Sequence, residues 1–286
     1  MPFADESYLQ VIVSKIEVCK AYRPKFGQGT SVSFEEFQSL YGADQFYSWF
    51  GLDHPLMYAA HKAAGGITSL YRQIGIGCEQ LFRRILQDHF ELTEEQANWS
   101  YTIPVPGKKD RRLSLDARIH FTDLKSEPSK RAKDWLKAAA RQMEMLPAIS
   151  KALQGAVFEV RQGYKSKDSK RQNADIGNAG TALAKGYLPV VAVLSTQIDS
   201  DIADRYRGAG WLLLTGNQST SPTHSVYAFC KEIVGYDLAG FFERNTQELK
   251  ATVDTVLKAL LSPETPPGIP PANGQDELDS AEEIEA

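Results

Sequence analysis

Two runs in the C-terminal half, "YLPVVAVLS" beginning at Tyr187 and "WLLLTG" beginning at Trp211, are apolar at nearly every position. A half-buried strand alternates between apolar and polar residues. A run that is apolar on both parities, and too short for a core helix, reads as a strand covered on both faces. Between the two lies "IDSDIADRYRGAG", whose spacing is helical and whose end is marked by glycine. Strand, helix and strand in this order form a crossover unit, which joins parallel neighbours inside a sheet flanked by helices.

The upstream chain extends this core. "GAVFEVRQGY" (155–164) reads as a strand, and residues 169–186 read as the helix that crosses from it to "YLPVVAVLS". Earlier, "NWSYTIPVPGKKDRRLSLDARIHFTDL" has the pattern of a hairpin, with Tyr101 to Val105 as one strand, "PGKKD" as the turn and Leu113 to Phe121 as the return. Residues 128–154 are amphipathic and helical with a break at Pro147, and 222–261 read as helical. At the N-terminal end "ESYLQVIVSKIEVCKAY" and "SFEEFQSLYG" read as helices, the second capped by Ser33. "GITSLYRQIGIGCEQLFRRILQDHFEL" predicts a helix that resumes after Gly75 and Gly77, with Leu81, Phe82, Ile85 and Leu86 as its apolar stripe. An antiparallel start joined to crossover units predicts an α/β (α+β) fold, a mixed sheet flanked by helices. The expected division is a helical region over 1–66, a core over 67–261 with a helical insert at 122–154, and a disordered acidic tail over 262–286.

The tail decides how the net charge of −4 is read. From Ser262 onward it holds seven acids and no base, so outside it 32 bases face 29 acids. The body is mildly basic, which is compatible with nucleic acid and does not demand it. No stretch is long and apolar enough for a bilayer, and "MPFADESYLQ" lacks the basic and apolar segments of a secretory signal. The three cysteines (Cys19, Cys78, Cys230) are odd in number and far apart. They fit buried thiols in a reducing, cytoplasmic setting better than a disulfide framework or a zinc site.

Three acids fall where acids need a reason. Glu79 lies on the helix before the hairpin, Asp116 in "LSLDARI" on the return strand, and Glu159 in "AVFEVRQ" on the next strand. An acid on an inward strand face is costly unless it is paired or binds a cation. Asp116 and Glu159 on neighbouring strands are candidate oxygen ligands for Mg²⁺, which suits one or two carboxylates together with substrate phosphate. Residues two apart share a strand face, so Arg161 belongs beside Glu159, about 6–7 Å along the strand. Lys165 has the same parity but lies roughly 20 Å from Glu159 along an extended strand, unless the chain bends back at Gly163. Arg161 stays protonated, so it positions water and stabilises charge on the phosphate but does not act as general base. If a deprotonatable group is needed, Lys165 or Lys167 is the candidate. The bland readings are a solvated Glu79, an Asp116 paired with Arg118, and a structural Glu159–Arg161 ion pair.

Positive charge gathers directly after the strand. Lys165, Lys167, Lys170 and Arg171 precede or begin a helix, where cations oppose the helix dipole. A phosphate partner, double-stranded DNA, would account for them, with Gln172 and Asn173 as further backbone or base contacts. The alternative is a solvated basic face. The insert, with Lys125, Lys130, Arg131, Lys133, Lys137 and Arg141, is a second candidate for base reading, or simply a basic outer helix face. The five histidines show no ligand spacing, and His120 is expected to pack rather than react.

The order of helix acid, hairpin Asp, strand with Glu-x-Arg, crossover helix and apolar strand resembles the PD-(D/E)xK nuclease superfamily. Asp116 stands for its Asp, Glu159 for its D/E, and Arg161 for its usual Lys. "FEVRQGYKSKDSKRQNADI", followed by "GYLPVVAVLSTQIDSDIADRYRGAGWLLLTG", resembles the ApaLI-type restriction endonucleases, over roughly residues 70–240. The resemblance implies a restriction-endonuclease-like core and a Mg²⁺-dependent type II enzyme. Such an enzyme acts as a homodimer and cuts duplex DNA at a short palindrome, GTGCAC for the family's name-giving member. Two other functions compete. One is a non-catalytic DNA-binding or regulatory protein on a decayed nuclease fold. The other is a structure-specific repair nuclease.

Overall fold

The structure is a computed structural model, and it describes residues 2–27, 29–103, 110–164 and 169–264. The chain divides into two compact units, Met1–Gly77 with Asn245–Ala286, and Cys78–Arg244.

The first unit is helical. It contains α1 (Pro2–Glu17), α2 (Phe34–Ala43), α3 (Gln45–Trp49), the N-terminal part of α4 (Pro55–Phe90) and, from the other end of the chain, α12 (Thr246–Leu261). Ser33 caps α2 as its sequence predicts. Its hydroxyl accepts the Glu36 N–H, and the Glu36 carboxylate accepts the Ser33 N–H, which closes a capping box. Helix α4 departs from expectation. It runs unbroken for 36 residues through Gly75 and Gly77. Packing explains why glycines are tolerated there. A Cβ on Gly77 would lie 3.3 Å from the Ile12 Cα, and one on Gly66 would meet the Leu260 side chain at 2.4 Å. These glycines let helices approach closely rather than end one. Lys62 is fully buried and donates to the carbonyls of Ser262 (3.2 Å) and Glu264 (3.1 Å), just past the end of α12. A cation is favourable at that negative helix end.

The second unit holds the sheets, with the remainder of α4 and α5 (Glu94–Ala97) before them. Strands β1 (Trp99–Ile103) and β2 (Arg111–Leu115) form an antiparallel pair, and the expected turn 104–109 lies outside the described residues. The expected return strand is split. It breaks at Asp116 and resumes as β3 (Ala117–His120), which belongs to a different, four-stranded sheet of order β3-β4-β5-β6. In that sheet β4 (Gly155–Arg161) runs antiparallel to β3 and parallel to β5 (Tyr187–Val193), and β5 runs parallel to β6 (Leu212–Leu214). The sheet is therefore mixed. Its crossovers are α8 (Ser169–Ala184) and α9 (Ser200–Gly208), and α6 (Ser126–Gln142) and α7 (Pro147–Ala152) form the insert between β3 and β4.

Burial follows the apolar pattern, and every residue of β5 and β6 is buried. On one face Val157, Val191 and Leu213 pack with Trp99, Tyr206 and Trp211. On the other, the Phe158 ring lies 5.2 Å from Phe82 and 5.4 Å from Phe229 between ring centroids. The expected helix over 222–261 is interrupted. A short α10 (Val226–Ala228) passes into a π-helical turn, Phe229–Val234, which ends at Gly235 with φ 94° before α11 (Leu238–Arg244) begins. Only glycine adopts that left-handed conformation without cost. Among the described residues no helix is long and apolar enough to cross a membrane.

Candidate active site

Asp116 sits at the break between β2 and β3, and hydrogen bonds explain the break. Its N–H donates to the Phe158 carbonyl (2.9 Å), and its carboxylate Oδ2 accepts the Val160 N–H (2.7 Å). The side chain has taken a main-chain donor of β4, so the regular ladder stops there and the chain turns into a second sheet. A third bond comes from α4, where Arg83 Nε donates to the Asp116 carbonyl at 2.5 Å. Sequence reasoning missed Arg83. Its signal was spacing, because Arg83 is four residues after Glu79 and shares that helix face.

Glu159 is almost wholly buried, on the same strand face as Val157 and Arg161. The β3–β4 register pairs Ala117 with Phe158, and Asp116 also donates to the Phe158 carbonyl while its carboxylate reaches the Val160 N–H, on either side of Glu159 in the β4 chain. The Arg161 guanidinium forms an ion pair with Glu159 through Nη2, and its Nη1 lies 3.7 Å from Glu79 Oε1. The side chains of Arg161 and Glu159 are only 11% and 8% exposed, so their charges are shielded from water and matter to each other. Arg161 thus draws Glu79 and Glu159 together, and the Asp116 carboxylate is held at the neighbouring Val160 N–H, at the C-terminal end of β4, where open α/β sheets place their functional crevices. Asp116 does not pair with Arg118. Arg118 donates instead to the Gln96 carbonyl (2.9 Å) and lies 3.4 Å from Asp123.

The end of β4 is fixed on its other side as well. The Leu194 N–H donates to the Arg161 carbonyl (2.9 Å) and the Ser195 N–H to the Gln162 carbonyl (3.0 Å), continuing the pairing past β5. Tyr164 bonds through its hydroxyl to the Tyr206 hydroxyl (2.7 Å). The chain then passes to 165–168, so Lys165 and Lys167 lie outside the described residues. Lys170, Arg171, Gln172 and Asn173 fall in the first turns of α8. That helix is tied to the hairpin by a hydrogen bond from the Tyr101 hydroxyl to Asn178 Oδ1.

The cysteine beside Glu79 is buried. Burial, and then the charge of Glu79, push the Cys78 thiol up to about 12, so it stays protonated at neutral pH. His120 packs as expected. It shares a hydrogen bond with the Tyr187 hydroxyl (3.0 Å) and pairs with Gly155, at the end of β4 away from Arg161. In the insert, Arg131 donates to the Ile233 carbonyl, Lys125 pairs with Glu91, and Lys137 pairs with Asp134.

The donor set at the site is all carboxylate oxygen, which is the chemistry of a hard divalent cation. Among the described residues no three His, Cys, Asp or Glu side chains converge closely enough to hold an ion unaided. Mg²⁺ commonly takes two carboxylates completed by water and phosphate, and Asp116 and Glu159 offer that kind of donor. No family model, no curated protein and no solved structure matches this chain.

Proposed function

We propose that this chain is a Mg²⁺-dependent, site-specific DNA endonuclease of the ApaLI type, with a PD-(D/E)xK core. One observation carries the reading. Asp116, at the break between β2 and β3, binds the Val160 N–H through its carboxylate, and the residues on either side of Val160 are Glu159 and its ion-pair partner Arg161. The order of helix, hairpin, strand, crossover helix and buried strand supports it.

In this reading Asp116 and Glu159 hold the cation. When bound, Mg²⁺ supplies a polarised phosphate and a water of lowered pKa. Arg161 offers its guanidinium to the phosphate as charge builds in the transition state. Glu79 holds Arg161 from the other side and keeps it in place. Arg83 and Val160 fix the Asp116 main chain and carboxylate. Lys170 and Arg171 bind phosphates of the duplex and set its register. Two copies supply the two cuts that a palindrome requires.

The test is digestion of a long, sequenced duplex with Mg²⁺, with EDTA, and with Asp116→Asn. Asn keeps an oxygen for the Val160 N–H but loses the ligand charge, so the fold survives. Discrete fragments that need Mg²⁺ and vanish in the variant support the endonuclease. A gel shift with no cutting in any divalent metal supports a non-catalytic binder, the reading favoured by the ion pair already formed between Arg161 and Glu159. No affinity for DNA of any form overturns both.

A further inference from the structure

We propose that the proline-rich segment 265–271 of this chain docks, as an extended polyproline-II strap, on the exposed aromatic patch formed by α3 and the start of α4. Segment and patch both belong to the first compact unit. The inference does not require that the chain cut DNA.

The patch is apolar and held in place. Phe46, Trp49, Phe50 and Leu56 are 57%, 73%, 67% and 66% exposed, a concentration of open apolar surface that marks a docking site. The Asp44 carboxylate accepts the N–H groups of Phe46 (2.9 Å) and Tyr47 (3.2 Å), and His54 Nδ1 accepts the Leu56 N–H (3.0 Å). The Phe46 and Phe50 rings lie 5.0 Å apart. The surroundings restrict what binds. Residues 26–61 contain Glu35, Glu36, Asp44 and Asp53 and no Lys or Arg. That charge repels phosphate backbones, anionic lipid surfaces and acidic peptides. An uncharged ligand with apolar rings suits it.

The chain itself brings such a ligand to the place. Leu260 lies against Gly66, and the carbonyls of Ser262 and Glu264 accept from buried Lys62, one turn earlier on α4. The chain leaving α12 therefore runs toward the N-terminal end of α4. Pro55 is seven residues before Lys62, on the same helix face and about 10 Å nearer that end. Phe50 and Trp49 are five and six residues before Pro55. Glu264 is the last described residue, and 265–286 lie outside the described residues. The sequence continues "TPPGIPPANGQ", with four prolines and Ile269 and no charge before Asp276. Seven residues of polyproline II span roughly 22 Å, enough to pass Pro55 and cross the patch.

The chemistry matches as well. Segments with the spacing P-x-x-P dock on aromatic-lined surfaces, and Pro267 and Pro270 have that spacing. The prolines restrict the backbone before it docks, so ordering costs little. The tether supplies the rest. A segment on a short linker meets its site at a millimolar effective concentration, so an affinity of only about 0.1 mM keeps it docked about nine-tenths of the time.

Trp49 reads the docking directly. The chain has four tryptophans, and Trp99, Trp135 and Trp211 are buried, so acrylamide quenching of the native protein reports Trp49. In the full chain, Pro267→Gly/Ile269→Gly/Pro270→Gly should raise that quenching about threefold and shift the emission to the red, because the strap no longer holds. A synthetic peptide of residues 264–275 at several millimolar should restore protection to the variant, and the same peptide with the three glycines should not. Equal quenching in wild type and variant overturns the proposal, since the patch is then open in both. Protection of the wild type that fades on dilution from about 50 µM to about 1 µM overturns it too, because a second copy is then the cover. So does a native peptide without effect, or a glycine peptide that protects as well as the native one.

Discussion

Replacing Arg161 by Met removes the guanidinium that pairs with Glu159 and leaves an unbranched, uncharged side chain of similar reach. The Glu159 side chain is 8% exposed, so water cannot replace the lost partner. Breaking a buried pair from one side costs about 3–5 kcal/mol, because the remaining charge stays desolvated. For a chain of this size that corresponds to a fall in melting temperature of about 6–20 °C. The control is the double variant Arg161→Met/Glu159→Gln. Removing both charges should restore most of the loss, since a buried ion pair adds little over a neutral replacement. Thermal and urea melts of the four proteins complete a double-mutant cycle. Mg²⁺ provides a second readout. A cation held by Asp116 and Glu159 should stabilise Arg161→Met more than wild type, by about 1.4 kcal/mol at ten times its dissociation constant. A loss below about 1 kcal/mol in the single variant would refute the reasoning, since Glu159 would then have found solvent. So would equal Mg²⁺ responses in the two proteins, since the pair would not compete with the ion.

Other expectations follow from the same contacts. Burial lowers the His89 pKa below its ordinary value, against the opposing effect of Asp88, so protonation favours the unfolded chain. Stability contributed by neutral His89 is complete above about pH 6.5 and is lost as the pH falls through the lower folded value, and His89→Phe should flatten that part of a pH–melting profile. All three cysteines are buried, with their thiol pKa values pushed up by burial. Native protein should resist a thiol reagent at pH 7.5 and label threefold in denaturant, whereas rapid native labelling would contradict the burial. Ser33→Ala opens the capping box of α2 and should cost about 1 kcal/mol in a urea melt. Lys170→Ala with Arg171→Ala should weaken duplex binding at every sequence and reduce the log–log salt slope by about 1.8, and an unchanged slope would remove both from the DNA interface.

Much of the second unit was legible because its signals are local. The apolar runs at 187–195 and 211–216 are too short for core helices and apolar on both parities, which marks covered strands, and the i, i+2 rule placed Arg161 beside Glu159. What escaped depended on tertiary partners. Gly75 and Gly77 look like helix breakers, yet Gly77 lies against the Ile12 backbone and the helix continues. The split at Asp116 arises because its carboxylate captures the Val160 N–H, which no alternation pattern reveals. Arg83 was overlooked because its target is a main-chain carbonyl, and main-chain acceptors leave no mark in a sequence. The π-helical turn before Gly235 was hidden in a segment of ordinary helical composition.

The bonds around Asp116 also bear on how such a site would age. The residue is bonded to β4 through its N–H and its carboxylate and to α4 through its carbonyl, and all three bonds persist whether or not phosphate is ever cleaved. Selection for folding alone would therefore hold an Asp or an Asn at this point long after catalysis had lapsed. A descendant that had become a pure binder would still look armed at position 116. The distinction would be written instead at Glu159 and Arg161, a pair that two neutral residues can replace at little cost to the fold. If the chain is the nuclease proposed above, a lineage in which those two positions drift together while 116 stays fixed would be one that has stopped cutting.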